Sequence, residues 1–393
     1  MKHECIIIGG GAAGLMLAAM TKTNNGIVLE GTAALGTKLL MTGGGHCNLT
    51  HAGSIKDFVD CYDEAGRALR KCLYRHSNIE MLKWLDSIGV PTIELEDRYY
   101  PATERAIDVR DALVRAARNN GWQFKLNEKV SNAGQSFLDN GPKGTGLAEG
   151  WHIVTSQNEY DAARVVIATG GITYPETGSD GSLFPVIRDL GIEVTELKSA
   201  LAPVYVRDYP YVELSGVSIP NVTVTAFSSD VVNTCKGKSA RITGDLLFTH
   251  TGFSGPAILK ISKYCEPGEK IRIDYNIGKT GPDGQTKTYE SLPKRFRKTL
   301  EDRARGESGD IKTSKLAGLL ESDEFIVKSI DVHGIVTSGG ISLSEIDSGT
   351  MEIKKCPGLF AIGEAIDADG TTGGYNLQLC YSTAATASEQ INQ

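Results

Sequence analysis

The chain lacks the cysteine patterns of disulfide or metal chemistry. Its eight cysteines, at positions 5, 47, 61, 72, 235, 265, 356 and 380, form no CxxC and no ligand-like pairing with histidine. This excludes a zinc site of finger type and predicts reduced thiols in a cytoplasmic protein with no structural metal. Long hydrophobic runs are missing too. Nothing approaches the roughly 18 apolar residues of a membrane helix, and MKHECIIIGGG at the amino terminus has too short an apolar stretch for a secretory signal. Nor is there an excess of positive charge. The 41 Lys and Arg against 48 Asp and Glu leave a net charge of −7, which predicts neither a nucleic-acid nor a membrane partner. No internal repeat is evident, and the length predicts two or three domains.

What is abundant is glycine. The chain has 45 in 393 residues, a surplus of roughly 17 over the usual ~7%. Four clusters organise the sequence. In the first, Cys5-Ile6-Ile7-Ile8 suits a buried parallel strand, and Gly9-Gly10-Gly11-Ala12-Ala13-Gly14 follows as GxGxxG before an apolar helix. Gly9 permits a tight turn, Gly11 lets backbone approach a pyrophosphate, and Gly14 lets the helix pack closely. The helix N-terminus, opened by Ala12 and Ala13, presents free N–H groups to phosphate. Ile27-Val28-Leu29 is a second strand ending at Glu30, an acceptor for ribose hydroxyls.

The second cluster is KLLMTGGGHCNLT, where Gly43, Gly44 and Gly45 can carry backbone against a flat ligand. The third is a strand running to Ala168-Thr169-Gly170-Gly171, followed by Tyr174-Pro175 and Gly178-Ser179-Asp180-Gly181. The fourth, GLFAIGEAIDADGTTGGYNLQ, ends a strand at Gly363-Glu364 and opens a last helix at Gly373-Gly374-Tyr375-Asn376. A helix N-terminus there stabilises negative charge on a reduced flavin over N1 and the C2 carbonyl. An enzyme using only NAD needs no such C-terminal return, so the clusters together point to FAD.

GGGAAGL, KLLMTGGGHCN, ATGGITYPETGSDG, FTHTGFSGPAIL, VTSGGIS and GLFAIGEAIDADGTTGGYNLQ resemble, in order and spacing, the BaiN-like (YhiN-like, or aminoacetone-oxidase) family of FAD-dependent oxidoreductases. The resemblance covers nearly the whole chain. It implies an α/β fold, with a Rossmann-like FAD-binding domain of glutathione-reductase type interrupted by a small β-barrel and a helical subdomain that form a lid. The implied boundaries are 1–193 and 335–393 for the FAD domain, 194–255 and 321–334 for the barrel, and 256–320 for the helical piece. It also implies non-covalent FAD, with pyrophosphate on Gly9 to Gly14 and adenosine ribose on Glu30. Val130 falls where the family's strand meets the adenine. The ribityl and phosphate region meets Gly363, Glu364 and Asp367. N1 and O2 meet Gly373, Gly374, Tyr375, Asn376 and Leu377. Lys38, Gly43 to Gly45, His46, Cys47, Asn48, Thr169, Gly170 and Gly171 line the remainder. One departure stands out: where the family usually has Arg before Cys-Asn, this chain has His46.

The secondary-structure pattern agrees with an interrupted domain. Ile107 to Asn119 has helical spacing, 122–130 and 151–168 alternate like strands, and a Gly/Pro-rich loop spans 139–150. VSIPNVTVTAF and 244–249 read as strands, Ser254-Gly255-Pro256 as a helix start, and 256–320 as mostly helical apart from IRIDYNI. There is no second GxGxxG with its strand and helix. NAD(P)H, if it is the electron donor, must therefore dock transiently.

For catalysis, hydride transfer at flavin N5 needs a proton donor. His250 precedes the helix that the resemblance places over the flavin, and it is a candidate. Tyr174 and Tyr375 flank glycine clusters and either wall the substrate or donate a proton. Cys47 reads as a packing or backbone contact, and the basic run Lys294 to Lys298 with Arg303 and Arg305 as a solvated helix face. The leading functional expectation is NAD(P)H-dependent reduction of an activated C=C bond in a small molecule such as a bile-acid or steroid enone. A second is oxidation of a small aminoketone by oxygen. A third is a flavoprotein with an RNA or protein partner, against which the acidic balance argues.

Overall fold

A computed structural model describes residues 2–138, 148–227, 239–281, 284–306 and 309–392. Most of the Gly/Pro-rich loop at 139–150, and Cys235, lie outside them. The chain divides into two units, one of Met1–Lys198 with Val336–Gln393 and one of Ser199–Ile335.

The described strands of the first unit, in chain order, are β1 (Lys2–Ile8), β2 (Gly26–Leu29), β3 (Thr50–His51), β4 (Thr92–Leu95), β5 (Arg98–Pro101), β6 (Trp122–Lys125), β7 (Val130–Leu138), β8 (Ala148–Thr155) and β9 (Glu159–Ile167), with two last short strands at Val336–Ser338 and Leu359–Ala361. The main sheet runs β6-β2-β1-β9-β8-β7. β1 is its centre, with Ile6 opposite Ile27 on one side and Val165 on the other, all parallel. Cys5 to Ile8 and the whole of β2 are buried, as expected for parallel strands covered on both faces. β9 serves two partners along one edge: residues 159–162 pair antiparallel with β8, and 165–167 pair parallel with Leu359–Ala361. The end of the chain is thereby brought beside the end of β1.

Helix α1 (Ala12–Met20) is apolar all round, and Ala13 to Ala19 are all buried. Such a helix belongs inside, and it packs against both Ala106–Asn119 and the C-terminal helix Tyr375–Ile391. A small antiparallel sheet, β3-β5-β4, completes the unit.

The second unit is a closed six-strand barrel. Its order is Val204–Val206, Gly252–Ser254, Ala240–Phe248, Ser218–Phe227, Lys270–Asp274 and Asp323–Ile330, the last pairing with the first. Barrel strand and helices alternate along the segment 256–321. Lys270–Asp274 is a barrel strand, and the described helices between 256 and 321 are three, Pro256–Ile261, Lys294–Ala304 and Thr313–Glu321. Ala257, Ile258, Phe296 and Leu300 share one apolar core with the barrel's Phe248, Phe253 and Phe325. Short helices without a core of their own gain stability only by burying an apolar face on a neighbour.

Arg303 departs from the solvated face predicted for the basic run. Its guanidinium makes two bonds to the Asp323 carboxylate, at 2.9 and 3.0 Å, with Asp323 only 1% exposed. The Tyr211 and Tyr275 hydroxyls also donate to that carboxylate.

Candidate functional site

The three motif glycines divide their labour as GxGxxG chemistry requires. Gly9 has φ of 107°, and a Cβ there would lie 2.4 Å from Ala168 O, so only glycine lets the turn after β1 pass the end of β9. A Cβ on Gly14 would sit 2.1 Å from Gly9 O, inside the turn itself. Gly11 is different: nothing lies within 4 Å of where its Cβ would be. Its freedom serves something other than packing. The first intrahelical bond of α1 runs from Leu15 N to Gly11 O at 2.9 Å, so the N–H groups of Ala12, Ala13 and Gly14 precede it and point out of the helix end. The first turn holds no acidic side chain. Open space, free N–H donors and a positive dipole end fit a pyrophosphate.

Glu30 closes β2 beside that turn and is 7% exposed. Its carboxylate accepts from Gly10 N at 2.9 Å and from the Thr32 N and Oγ1, both at 2.8 Å. It therefore shapes the glycine turn. Gly178 lies against it: a Cβ there would be 3.4 Å from Glu30 Oε1. Val130 begins β7, buried, with its backbone opposite Thr155.

The second cluster is a run of left-handed backbone, with φ of 57° at Gly43, 66° at Gly44, 95° at Gly45 and 61° at Cys47. Gly44 and Gly45 also have open space where a Cβ would be. Cys47 is fully buried, and burial pushes its thiol up to about 12. It offers no thiolate for a covalent flavin bond. His46 is exposed, with Nδ1 3.1 Å from Glu104 O. The Asn48 amide, turned to satisfy both neighbours, donates to Thr50 O and accepts from Gly374 N, each at 3.2 Å.

That last contact ties the second cluster to the C-terminal helix. With Gly374 N occupied and Gln378 N bonded to Gly374 O at 3.1 Å, the N–H groups of Tyr375, Asn376 and Leu377 remain at the helix end. The Asn376 side chain is spent locally, bonding Gly370 N and O at 2.8 and 2.9 Å. Tyr375 sits in an aromatic cluster, stacked on His51 at 5.2 Å and edge-on to Phe58 and Tyr62. Burial, with a hydrogen bond to Cys61, raises its phenol well above the ordinary range. A packing role suits it better than proton donation.

Lys38 and Glu364 meet at 2.7 Å. Lys38 also donates to Thr173 Oγ1 at 2.8 Å, and Glu364 accepts from Thr337 N at 2.7 Å. Gly363 joins this corner to α1, since a Cβ on it would be 2.6 Å from the Ala13 Cβ. Gly170, with φ of 71°, lies beside Glu364, and Gly171 abuts Thr337. Thr169 and Asp367 are partly exposed, and Asp367 N bonds Ile341 O at 2.9 Å. Tyr174 is also partly exposed, its ring centroid 6.0 Å from Lys38 Nζ. The first unit thus collects every predicted residue except His250, which is exposed on a turn of the barrel unit.

Sequence reading missed four hydroxyl residues and one histidine. The Thr173 hydroxyl and the Thr337 backbone N–H hold the Lys38–Glu364 corner. The Ser179 and Thr371 hydroxyls are buried without a partner among the described residues, and an orphaned buried hydroxyl costs about 1–3 kcal/mol unless a ligand satisfies it. His51 lies against the Gly373-Gly374 turn. All five sit within or beside the glycine motifs. Among the described residues no group of His, Cys, Asp and Glu forms a metal site, no disulfide links the seven cysteines, and no helix is long and apolar enough to cross a membrane.

The chain is 28% identical to the ribosomal RNA dihydrouridine synthase of Haemophilus influenzae, covering 99% of this chain and 98% of that one. It is 25% identical to the 3-dehydro-bile acid delta(4,6)-reductase of Clostridium scindens, covering 97% of each. In fold it is similar to the 3-ketosteroid delta1-dehydrogenase of Sterolibacterium denitrificans, with a TM-score of 0.52 at 10% identity over 100% of this chain and 99% of that one. The family model described as the HI0933-like protein Rossmann domain matches residues 3–390, and the chain belongs to that family as an FAD-dependent oxidoreductase.

Proposed function

We propose that this protein saturates a C=C bond conjugated to a carbonyl, using FAD held without a covalent bond. One observation carries the reading. The names of two relatives that match over nearly their full length both describe this bond type, in a uracil base and in a bile-acid enone.

FAD supplies a hydride from N5 when reduced. In this reading the N–H groups at the start of α1 hold the pyrophosphate and Glu30 the ribose, with Val130 along the adenine. Glu364, Asp367 and the orphaned Ser179 hydroxyl line the ribityl chain. The helix end at Tyr375 to Leu377 stabilises charge on the pyrimidine edge. The left-handed turn at Gly43 to Gly45, with Asn48, lies against the ring system together with Thr169 to Gly171. Lys38 holds Glu364 in place.

The preferred substrate class is a bulky small molecule of enone type, with NAD(P)H docking transiently, because the described residues of the second unit form a barrel and no second nucleotide fold. A uracil base in RNA is the second reading, favoured by the Haemophilus relative's name and opposed by the net charge of −7. The test is anaerobic. NADH or NADPH is expected to bleach the flavin's visible band, and a steroid enone or a uridine-containing RNA to restore it. Restoration by the RNA alone would select the second reading. No bleaching by either nicotinamide, with oxygen uptake on aminoacetone, would replace both readings with amine oxidation.

A further inference from the structure

Saturating a conjugated C=C bond breaks its π pair and forms two C–H bonds, one from hydride and one from a proton. The proton must come from a donor beside the site. Tyr375 is poorly placed for this, since it is buried and its hydroxyl is bonded to Cys61. Its stacking partner is better placed.

His51 ends β3, whose backbone lies against the N-cap of the C-terminal helix: a Cβ on Gly374 would be 2.7 Å from Thr50 Cα. The His51 ring stacks on Tyr375 with an interplanar angle of 15°, and its Cδ2 is 3.1 Å from where a Gly373 Cβ would stand. Three contacts fix it. The buried Asn78 amide donates to His51 O at 3.0 Å and Gly53 O at 3.2 Å, holding the backbone. The stack holds the ring plane. Nδ1 lies 2.8 Å from Ala52 O, and a carbonyl oxygen only accepts, so Nδ1 carries a proton in both charge states. Nε2 is then bare when the ring is neutral and an N–H donor when it is charged. Among the described residues no hydrogen bond engages Nε2, and the residue is partly exposed. Arg98, opposite it in the β3–β5 register, and Tyr375 meet it from the neighbouring strand and helix.

We propose that His51 Nε2 delivers the proton to the substrate, an inference that rests on the reduction reading above. The hydride goes to the carbon distal to the carbonyl, and the proton from Nε2 to the carbon beside it. The ring is left neutral and takes its proton back from water.

Two measurements test this. In apoprotein labelled with nitrogen-15 histidine, the neutral His51 ring should be protonated at Nδ1; protonation at Nε2 instead would overturn the proposal. In holoenzyme, His51→Asn should keep the flavin's visible band and reoxidise with oxygen as the wild type does, while reoxidation by the enone falls by at least ~100-fold. His51→Ala should regain part of that rate with added imidazole. An unchanged enone rate would sink the assignment, and loss of FAD from both variants would make His51 a structural residue only. If the wild type itself is reoxidised by no conjugated C=C compound, the reduction reading fails and this inference with it.

Discussion

Lys38 donates to Glu364 across 2.7 Å, linking the short helix after β2 to the turn that follows the last strand, 326 residues later. The two side chains are 23% and 20% exposed, between a surface pair worth ~0–1 kcal/mol and a buried one whose breakage costs ~3–5. Lys38→Met is expected to cost roughly 1–3 kcal/mol in the apoprotein, read as a lower melting temperature. Lys38→Arg should cost less, and equal losses would show that the charge is not what matters.

Gly11 and Gly14 separate cofactor binding from folding. Gly11→Ala meets open space, so the apoprotein should melt within about 0.5 kcal/mol of wild type while FAD affinity drops by at least ~10-fold. Gly14→Ala places a Cβ 2.1 Å from Gly9 O, a backbone collision expected to cost ~3 kcal/mol or more and to reduce soluble yield. Melting curves of the apoproteins and FAD titration distinguish the two.

Glu30 has two tasks, and its substitutions should reveal both. Glu30→Ala removes three hydrogen bonds to Gly10 and Thr32 as well as the proposed ribose acceptor. FAD affinity should fall by ~1.5–3 kcal/mol, measured by equilibrium dialysis, and the apoprotein should also melt earlier. Full FAD occupancy after dialysis would remove Glu30 from the site.

The barrel unit depends on Arg303 and Asp323. Arg303→Met leaves a carboxylate that is 1% exposed without its cation, at a cost of ~3–5 kcal/mol. Adding Asp323→Leu should recover most of the loss, because the lone buried charge goes with it. A thermal scan of the single and double variants decides whether charge or packing dominates.

Much of the flavin domain was legible because its signals are local. A GxGxxG between a buried run and an apolar helix, an acid closing the next strand, and glycines before the last helix each describe a few neighbouring residues. In the structure the first joins β1 to α1, the acid follows β2, and the glycines precede the last helix. The barrel's neighbourhood was less legible, because helices such as Lys294–Ala304 gain their stability from Phe248 and Phe253, about 40 residues away in sequence. Arg303 looked solvated for the same reason: Asp323, which neutralises it, lies 20 residues beyond it.

The sequence by itself determined the cofactor class and the glycine-rich backbone proposed to receive it, since glycine's freedom and a helix's free N–H groups are properties of short segments. Tertiary structure alone decided which side chains are available there. Packing takes Tyr375 into an aromatic cluster, commits the Asn376 side chain to its own loop and binds Lys38 to Glu364. It also sets His51 beside the N-terminus of a helix more than 320 residues further along the chain. Burial and hydrogen-bond partners are set by contacts between distant segments, and no local pattern records them.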